Sequence, residues 1–549
     1  MRIKTQLYAV LFILLIVLKP LHILAFGSGI QTCTPPVEPV TLSNPRVISE
    51  FTQGALQSAL TSGGHITFDT TTPVTIDISS EIALSTDHDT VLDGKGLVTL
   101  DGQGVTRIFK KEWHDPSYTV SITLQNIRLI NGKAPSGGST GDHSGGAVNV
   151  GHPGTRLYII NSTFENNSTT DINTADNQGG AIFVHNSYET VITGSTFISN
   201  RAGNGGAFGG IATGLFVINS TFTGNGAVDE SGDGIVKGHG GAIHLDGVTN
   251  SYNPDSNKRL HVCGSVFNNN TSVRGGGALK VTVSDNKGIK ATYEKSEFVE
   301  NSASGASSIE GHGGALYHIE DDHSGGSGEL NVEILECTFS NNTGWRQGGG
   351  AWVTALGRIH VINSTFWGNQ TSHSSLGMGG GLVLSQGDAA VTNCSFVQNY
   401  AWFHGGGIQA GSSADVVLMN TLFYYNESER DWACYQMNRE ADTDSGGNLQ
   451  YPGVRFNQSG TPDDCRVVPS VMIADPQVQP LADNGGPTRT IALSKGSPAI
   501  NAGSNTGSPP ADQRGYLRDA QCDIGAFEYG ARNPVVLPYV APILNLLLL

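Results

Sequence analysis

Through most of this chain apolar and polar residues alternate with a period of two, in short runs that never lengthen into a helical repeat. The runs fall into line when set against a recurrent Phe-x-x-Asn, written nine times between Phe164 and Asn426. Seven residues before each Phe the column holds Leu157, Leu215, Val332 and Ile359 among others, and five before it Ile159, Val217, Val262 and Val361. Alternation of this kind turns one apolar face inward and predicts a strand ahead of every Phe. Three residues before Phe stand Asn161, Gly194, Asn219, Gly264, Lys295, Glu336, Asn363, Asn393 and Asn420. Asn and Gly tolerate the left-handed backbone region, so this column predicts a sharp bend, to which Lys295 and Glu336 are exceptions. Past the bend the side-chain phase flips. Phe164, Phe197, Phe222, Phe366, Phe396 and their counterparts then point inward, with a small Ser, Cys or Thr two residues before them. The Asn three residues after Phe falls at the next corner, where amides of successive units can hydrogen-bond up the column. A Gly-Gly pair opens the following strand, as in Gly240-Gly241-Ala242-Ile243-His244-Leu245.

Units repeating at roughly 25 to 45 residues bury their apolar faces only against their neighbours, which is the pattern of a solenoid. Short strands and tight corners define the expected fold class: all-β, a right-handed parallel β-helix whose coils stack at about 4.8 Å. The pairing of Gly-Gly-Ala-[Ile/Leu/Val] with Phe-x-x-Asn, over about half the chain, resembles the repeat of the polymorphic outer-membrane proteins, of the pectate-lyase-like β-helix class. That resemblance implies export and surface display, not a reaction. Those proteins are similar to autotransporters ending in a long membrane barrel, whereas nineteen residues follow Gly530 here, too few for one.

Ahead of the repeats, Ser49 is placed to cap a short helix over Phe51 to Thr61, with Leu56 and Leu60 one turn apart, covering the end of the solenoid. With strand-like pieces at 65–68, 74–77, 90–94, 98–102 and 120–124, this cap and the first coils fill 26–145, and the regular repeat fills 146–426. Residues 427–474 are polar and turn-rich. From 475 to 530 comes a distinct block: Leu481-Ala-Asp483-Asn-Gly-Gly-Pro487, Gly496-Ser-Pro-Ala-Ile500-Asn501-Ala502-Gly503, Asp512-Gln-Arg-Gly515 and Cys522-Asp-Ile-Gly-Ala-Phe-Glu528. The block resembles the choice-of-anchor Q domain of secreted bacterial β-helix proteins, departing at Asn501, where the motif usually reads Asp. It is expected to cap the last coil, with Asp512, Arg514, Asp523 and Glu528 in a buried ion-pair network. The tail 531–549 is apolar but short for a membrane span and broken by Pro538 and Pro542.

Composition adds the compartment. Gly accounts for 73 of 549 residues, charged residues for 14%, and the net charge is −17, with no Lys/Arg cluster of the kind nucleic acid requires. Arg2 and Lys4 precede the apolar run Leu7 to Leu18, and cleavage after Ala25 would make 1–25 a secretory signal peptide. A secreted or cell-surface protein follows, with no membrane span beyond that leader. Its seven cysteines then belong to an oxidising compartment. Cys434 with Cys465 is the preferred bridge, because both flank a loop-rich segment with little core of its own. Cys337 and Cys394 share one inward column two coils apart, roughly 9 to 10 Å, beyond disulfide reach. They are read with Cys263 as small buried residues, and the partners of Cys33 and Cys522 stay open.

Two functional readings of different classes remain. One is a monomeric surface scaffold, adhesin-like or glycan-binding, whose partner is a polysaccharide or a neighbouring cell's glycan. The alternative is a polysaccharide lyase or glycoside hydrolase of the pectate-lyase-like superfamily with a non-standard site. Polygalacturonase-like hydrolases need Asn-Thr-Asp, Asp-Asp, Gly-His-Gly and Arg-x-Lys in order, to hold carboxylates about an attacking water. Here Asn-Thr-Asp is absent, Arg-x-Lys occurs only at Arg2-Ile3-Lys4, and Gly238-His239-Gly240 and Gly311-His312-Gly313 are His residues set before the repeat's own Gly-Gly-Ala. No catalytic residue is assigned, and no cofactor is expected unless acidic insertions wall a cleft for calcium. The candidate ligand residues are a polar ridge just before the Gly run, Gln178, Asn204, His239, Arg274, His312, Gln347, Met378 and His404. Asp321 and Asp322 join them from the longest insertions, 226–239, 249–258 and 320–329. Trp345, Trp352, Trp367 and Trp402 would add stacking platforms if one face exposes them.

Overall fold

In a computed structural model of the protein, each repeat becomes one coil of a parallel β-helix. The structure describes residues 33–532 apart from 113–118, 137–139, 152, 170–176, 229–236, 249–258, 284–289, 306–309, 321–330, 430–433, 454, 457–461 and 464. The expected signal peptide, the apolar tail from 533, and Asp321 and Asp322 lie outside the described residues.

The coil of Phe267 shows the plan. Ile243–Asp246 follows Gly-Gly, Arg259–Cys263 forms the middle strand, Gly264 turns the corner, and Val266–Asn268 carries Phe. Asn269 turns again, and Thr271–Ser272 leads to the next Gly-Gly. Each strand pairs in parallel with its counterparts, Phe267 standing beside Phe222 and Phe298 without slippage. In the later coils the first two strands fuse, as in Ala351–Ile362 and Leu382–Thr392, because no long insertion separates them there.

Successive Phe rings stack with centroids 4.5 to 5.3 Å apart and planes within 12°. That spacing is the inter-strand spacing of a sheet, so the backbone ladder imposes the ring stack. The bend column takes φ between 46° and 63° throughout, Lys295 and Glu336 included. At the following corner Asn270 Nδ2 donates to Asn301 Oδ1 and to the Phe222 carbonyl, each at 3.0 Å, and its backbone N–H shares Asn301 Oδ1. The same bonds recur from Asn167 to Asn426, satisfying amides that sit inside the core. The Gly-Gly pair is obligatory for space. Gly240 has φ +66°, and a Cβ on Gly241 would lie 2.0 Å from the Gly277 carbonyl oxygen of the next coil.

The N-terminal helix forms, but over Gln53–Leu60, and its cap is Thr52 instead of Ser49: Thr52 Oγ1 accepts from Ala55 N–H at 3.3 Å. Leu56, Ala59 and Leu60 close the near end of the core. The two pieces expected at 90–94 and 98–102 are one strand, Thr90–Asp101. Cys337 and Cys394 are buried free thiols, and Cys434 pairs with Cys465. Cys263, however, is bonded to Cys33. It stands four residues before Phe267, whereas Cys337 and Cys394 stand two before theirs. Cys263 clusters with Val191, Phe216 and Ile218 against Cys33, and the chain from Cys33 to Ser43 runs back over that flank as a strap. Along it, Asn219 bonds both the N–H and the carbonyl of Cys33, Gln125 does the same for Val40, and Ser43 N–H donates to His65.

The C-terminal module is not at the end. Met437, Val467, Val468 and Val471, from the disulfide-bonded segment, enter the main core and close it there. The module instead lies along the flank of the coils of Phe298, Phe339, Phe366, Phe396 and Phe423. Arg489 pairs with Glu297 at 3.0 Å, Gln513 reaches Thr338 and Thr365, Asn363 holds Ala511 and Arg518, and Asn420 holds Ser504. The cause is apolar: Trp367, Val397, Leu422 and Tyr424 face outward on these coils and pack against Ile491, Leu493, Ile524 and Phe527. A buried ionic network does hold the module together, as Arg514–Asp512 at 2.7 Å and Arg518–Glu528 at 2.8 Å. Arg518 was absent from the expected set, and Asp523 instead accepts backbone N–H groups of Asn501 and Tyr529.

Candidate ligand-binding strip

Alignment on Gly-Gly brings out a row that alignment on Phe hides. In the strand after each pair, Ile243 and Leu245, Leu279 and Val281, and Leu316 enter the core. The residue between must point outward. In register along the helix axis these are His244, Lys280, Tyr317 and Trp352, each one coil from the next; the last three are half-buried, whereas His244 is covered, its Nδ1 3.2 Å from Gln178 Oε1. Beside them runs the corner column His239, Gly275, His312 and Gln347. Gly275, not Arg274, occupies the column, because three glycines precede Ala278 and the backbone register follows the later pair.

The two rows interlock. The His239 and His244 rings lie 6.2 Å apart, and His312 lies 5.3 Å from Tyr317 and 5.6 Å from Trp352. Tyr317 and Trp352 meet edge to face at 5.0 Å. Trp352 Nε1–H donates to Gln347 Oε1 at 3.1 Å, and Arg346 Nη1 lies 3.5 Å from His312 Nε2. Arg274 sits alongside, ion-paired with Glu310.

Burial, then the positive charges of Lys280, Arg274 and His312, hold the His239 imidazole down to about 3. The residue keeps some exposure, but its Nδ1 is buried. Burial likewise holds His244 well below the usual histidine range, and pushes the Tyr317 hydroxyl up to about 12 against the opposing charge of Arg346. At neutral pH His239 and His244 are held neutral, and beside them stand two aromatic rings, an amide and the cations of Lys280, Arg274 and Arg346. This is equipment for stacking on and hydrogen-bonding an extended polar chain. Acid–base chemistry of the glycosidase kind would need paired carboxylates. Of the carboxylates described nearby, Glu310 is committed to Arg274, Glu320 accepts the Leu356 N–H, and Asp246 stands exposed at the end of the His244 strand.

The structure thus places His239, His312 and Gln347 along one row, with Trp352 beside the last two, and His404 away from them. His404 stands two coils further along, beyond Met378, packed on Phe403. Trp367 is covered by the C-terminal module, and Trp345 and Trp402 pair with His373 and Tyr400. His244, Lys280 and Tyr317 were missed, although their place two residues after the Ala of Gly-Gly-Ala was legible. His261, Cys263 and Glu294 bring ligand-type atoms within 4.8 Å, but Cys263 is in a disulfide and His261 is hydrogen-bonded to Glu294 at 3.2 Å.

The right handed beta helix region matches residues 315–437, and the Chlamydia polymorphic membrane protein repeat matches residues 161–185. Among solved structures, the chain is similar to the crystal structure of pectate lyase Pel9A at 12% identity, over 88% of this chain and 91% of that one, with a TM-score of 0.25. No curated protein matches the sequence. The matched stretches hold the same glycine and Phe columns that build the coils, and the chain is a right-handed parallel β-helix protein bearing a repeat similar to that of the polymorphic membrane proteins.

Proposed function

We propose that this protein is an exported, surface-displayed β-helix scaffold that binds an extended glycan along the strip from His244 to Trp352. The observation that carries the reading is the outward row itself: four consecutive coils place His, Lys, Tyr and Trp in axial register, backed by His239, His312 and Gln347. A sugar polymer laid along the helix axis meets a new side chain at each coil step of about 4.8 Å. Export is supported by the leader-like N-terminus and by two disulfides, which persist in oxidising compartments. Display is supported by the polymorphic membrane protein repeat and by the anchor-like sequence of the C-terminal module.

The test is a glycan array run with the full chain beside assays for new reducing ends and unsaturated products on a polysaccharide panel. Binding without turnover is expected, and Trp352→Ala or Tyr317→Ala should weaken it about tenfold. Turnover of any polymer, abolished by one carboxylate substitution, would replace the scaffold with an enzyme. Binding that ignores both substitutions would remove the strip.

A further inference from the structure

Two residues after each Phe the chain turns through the left-handed region, mostly on small or amide residues: Asn166, Asn269, Asn341 and Gly368 have φ between 53° and 63°, while Glu300 has φ 52°. The coil of Phe423 places Tyr425 there, at φ 47°. A bulky aromatic at positive φ is uncommon, and the register of the neighbouring coils imposes it here as it does on Glu300. Tyr425 is also 40% exposed. Its ring is propped edge-on by Tyr424 at 4.6 Å and Tyr451 at 5.5 Å, and its N–H donates to the Tyr451 carbonyl at 2.9 Å.

Beside the ring opens a cavity of about 380 Å³ bounded by Gln398, Asn399, Tyr400, Tyr425 and Glu427. The Asn399 amide is used in the corner ladder, donating to Asn426 and the Phe366 carbonyl, and the Tyr400 hydroxyl donates to Glu429 at 2.9 Å. The cavity is therefore bordered by tyrosine rings, the Gln398 amide and an exposed carboxylate, Glu427. Burial first, then Glu429 and Glu427, push the Tyr400 hydroxyl up. Burial, Tyr451, Asp475 and Glu427 do the same to Tyr425. Among the described residues, the carboxylates acting on these hydroxyls, Glu427, Glu429 and Asp475, carry one sign of charge. Ring faces and carboxylates together attract a positive charge, since the aromatic quadrupole is negative over the face.

We propose that this pocket binds an organic cation, an alkylammonium group held against the rings of Tyr400 and Tyr425 with Glu427 as its counter-ion. The cation can come from a protonated amino sugar or from a quaternary or lysine-type ammonium. The site is built from other strands than the glycan strip and stands or falls independently of it.

Full-length protein is titrated with glucosamine hydrochloride, with tetramethylammonium chloride and with glucose at constant ionic strength. Calorimetry is the readout, together with the fluorescence of Trp402, whose ring lies 6.5 Å from Tyr400. Saturable binding of at least one cation and none of glucose is expected. Glucosamine alone would identify an amino sugar, tetramethylammonium alone a quaternary ammonium, and both a general ammonium site. Tyr425→Asn installs the residue other coils use, so it should melt no lower than the parent while losing affinity about tenfold. Tyr425→Phe should bind like the parent, and Glu427→Gln should bind more weakly. No saturable cation binding, glucose binding as tightly as the cations, or a Tyr425→Asn variant that binds undiminished would overturn the proposal.

Discussion

Asn301 donates from Nδ2 to Asn342 and to the Phe267 carbonyl, and its Oδ1 accepts from both the backbone and the side chain of Asn270. All of this lies at zero exposure. Asn301→Ala strands donors and an acceptor in two coils at once, and should cost about 3 kcal/mol in urea unfolding. A second residue-scale consequence concerns Glu336, which occupies the bend column between Lys295 at 3.9 Å and the C-terminal module, with Oε2 buried and lacking a hydrogen bond. Burial raises its carboxyl from 4.5 to about 7; Lys295 opposes the shift, and Glu294 and Asp512 add to it. The fold thus prefers the protonated form. Its contribution is fully present below pH 4.5 and is lost as pH rises through about 7. Glu336→Gln should be more stable than the parent by on the order of 2 kcal/mol at about pH 8 and lose that advantage by about pH 4.5. Equal pH dependence of the two melting curves would refute the assignment. The buried histidines and Asp523, being common to both proteins, cancel in the comparison.

At the scale of the element, the Gly-Gly corner is where backbone meets backbone. Gly241→Ala would drive a Cβ to 2.0 Å from the Gly277 oxygen and 2.6 Å from the Thr271 oxygen, and should cost about 3 kcal/mol or more. Gly226→Ala, whose nearest neighbour is Thr271 Oγ1 at 3.5 Å, should stay within about 0.5 kcal/mol in the same denaturation series. Strand, bend and inward Phe were legible because each column repeats once per coil and each member meets a chemical copy of itself. Lys295 and Glu336 adopt the bend conformation without its residue type, since neighbouring coils leave them no alternative. The candidate strip was half legible. His239, His312 and Gln347 stood out as polar residues before glycine, but the outward neighbours that complete them vary from coil to coil, and only the register shows that Lys280, Tyr317 and Trp352 are adjacent.

At the scale of the whole molecule, the two ends of the described chain act alike, each covering outward apolar residues on the flank of the solenoid. The N-terminal strap covers Val191, Phe216 and Ile218, and the C-terminal module covers Trp367, Val397, Leu422 and Tyr424. Cys33→Ser should release the strap and lower stability by about 2–4 kcal/mol. Thermal melts should show the loss, reductant should lower the parent's melting temperature by more because it also opens Cys434–Cys465, and limited proteolysis should cut near residue 40 in the variant first. By itself the sequence determined the coil, its corners, its core and the Cys434–Cys465 bridge, all of which rest on local pattern or on repetition between adjacent turns. Only the tertiary structure decided the Cys33–Cys263 bond, the sideways seat of the module through Arg489 and Glu297, and the composition of the strip. These join residues 230 and 192 positions apart, or on different coils, whose side chains follow no repeat. What brings them together is the common demand to shield apolar surface and satisfy polar groups, which acts only once the solenoid exists.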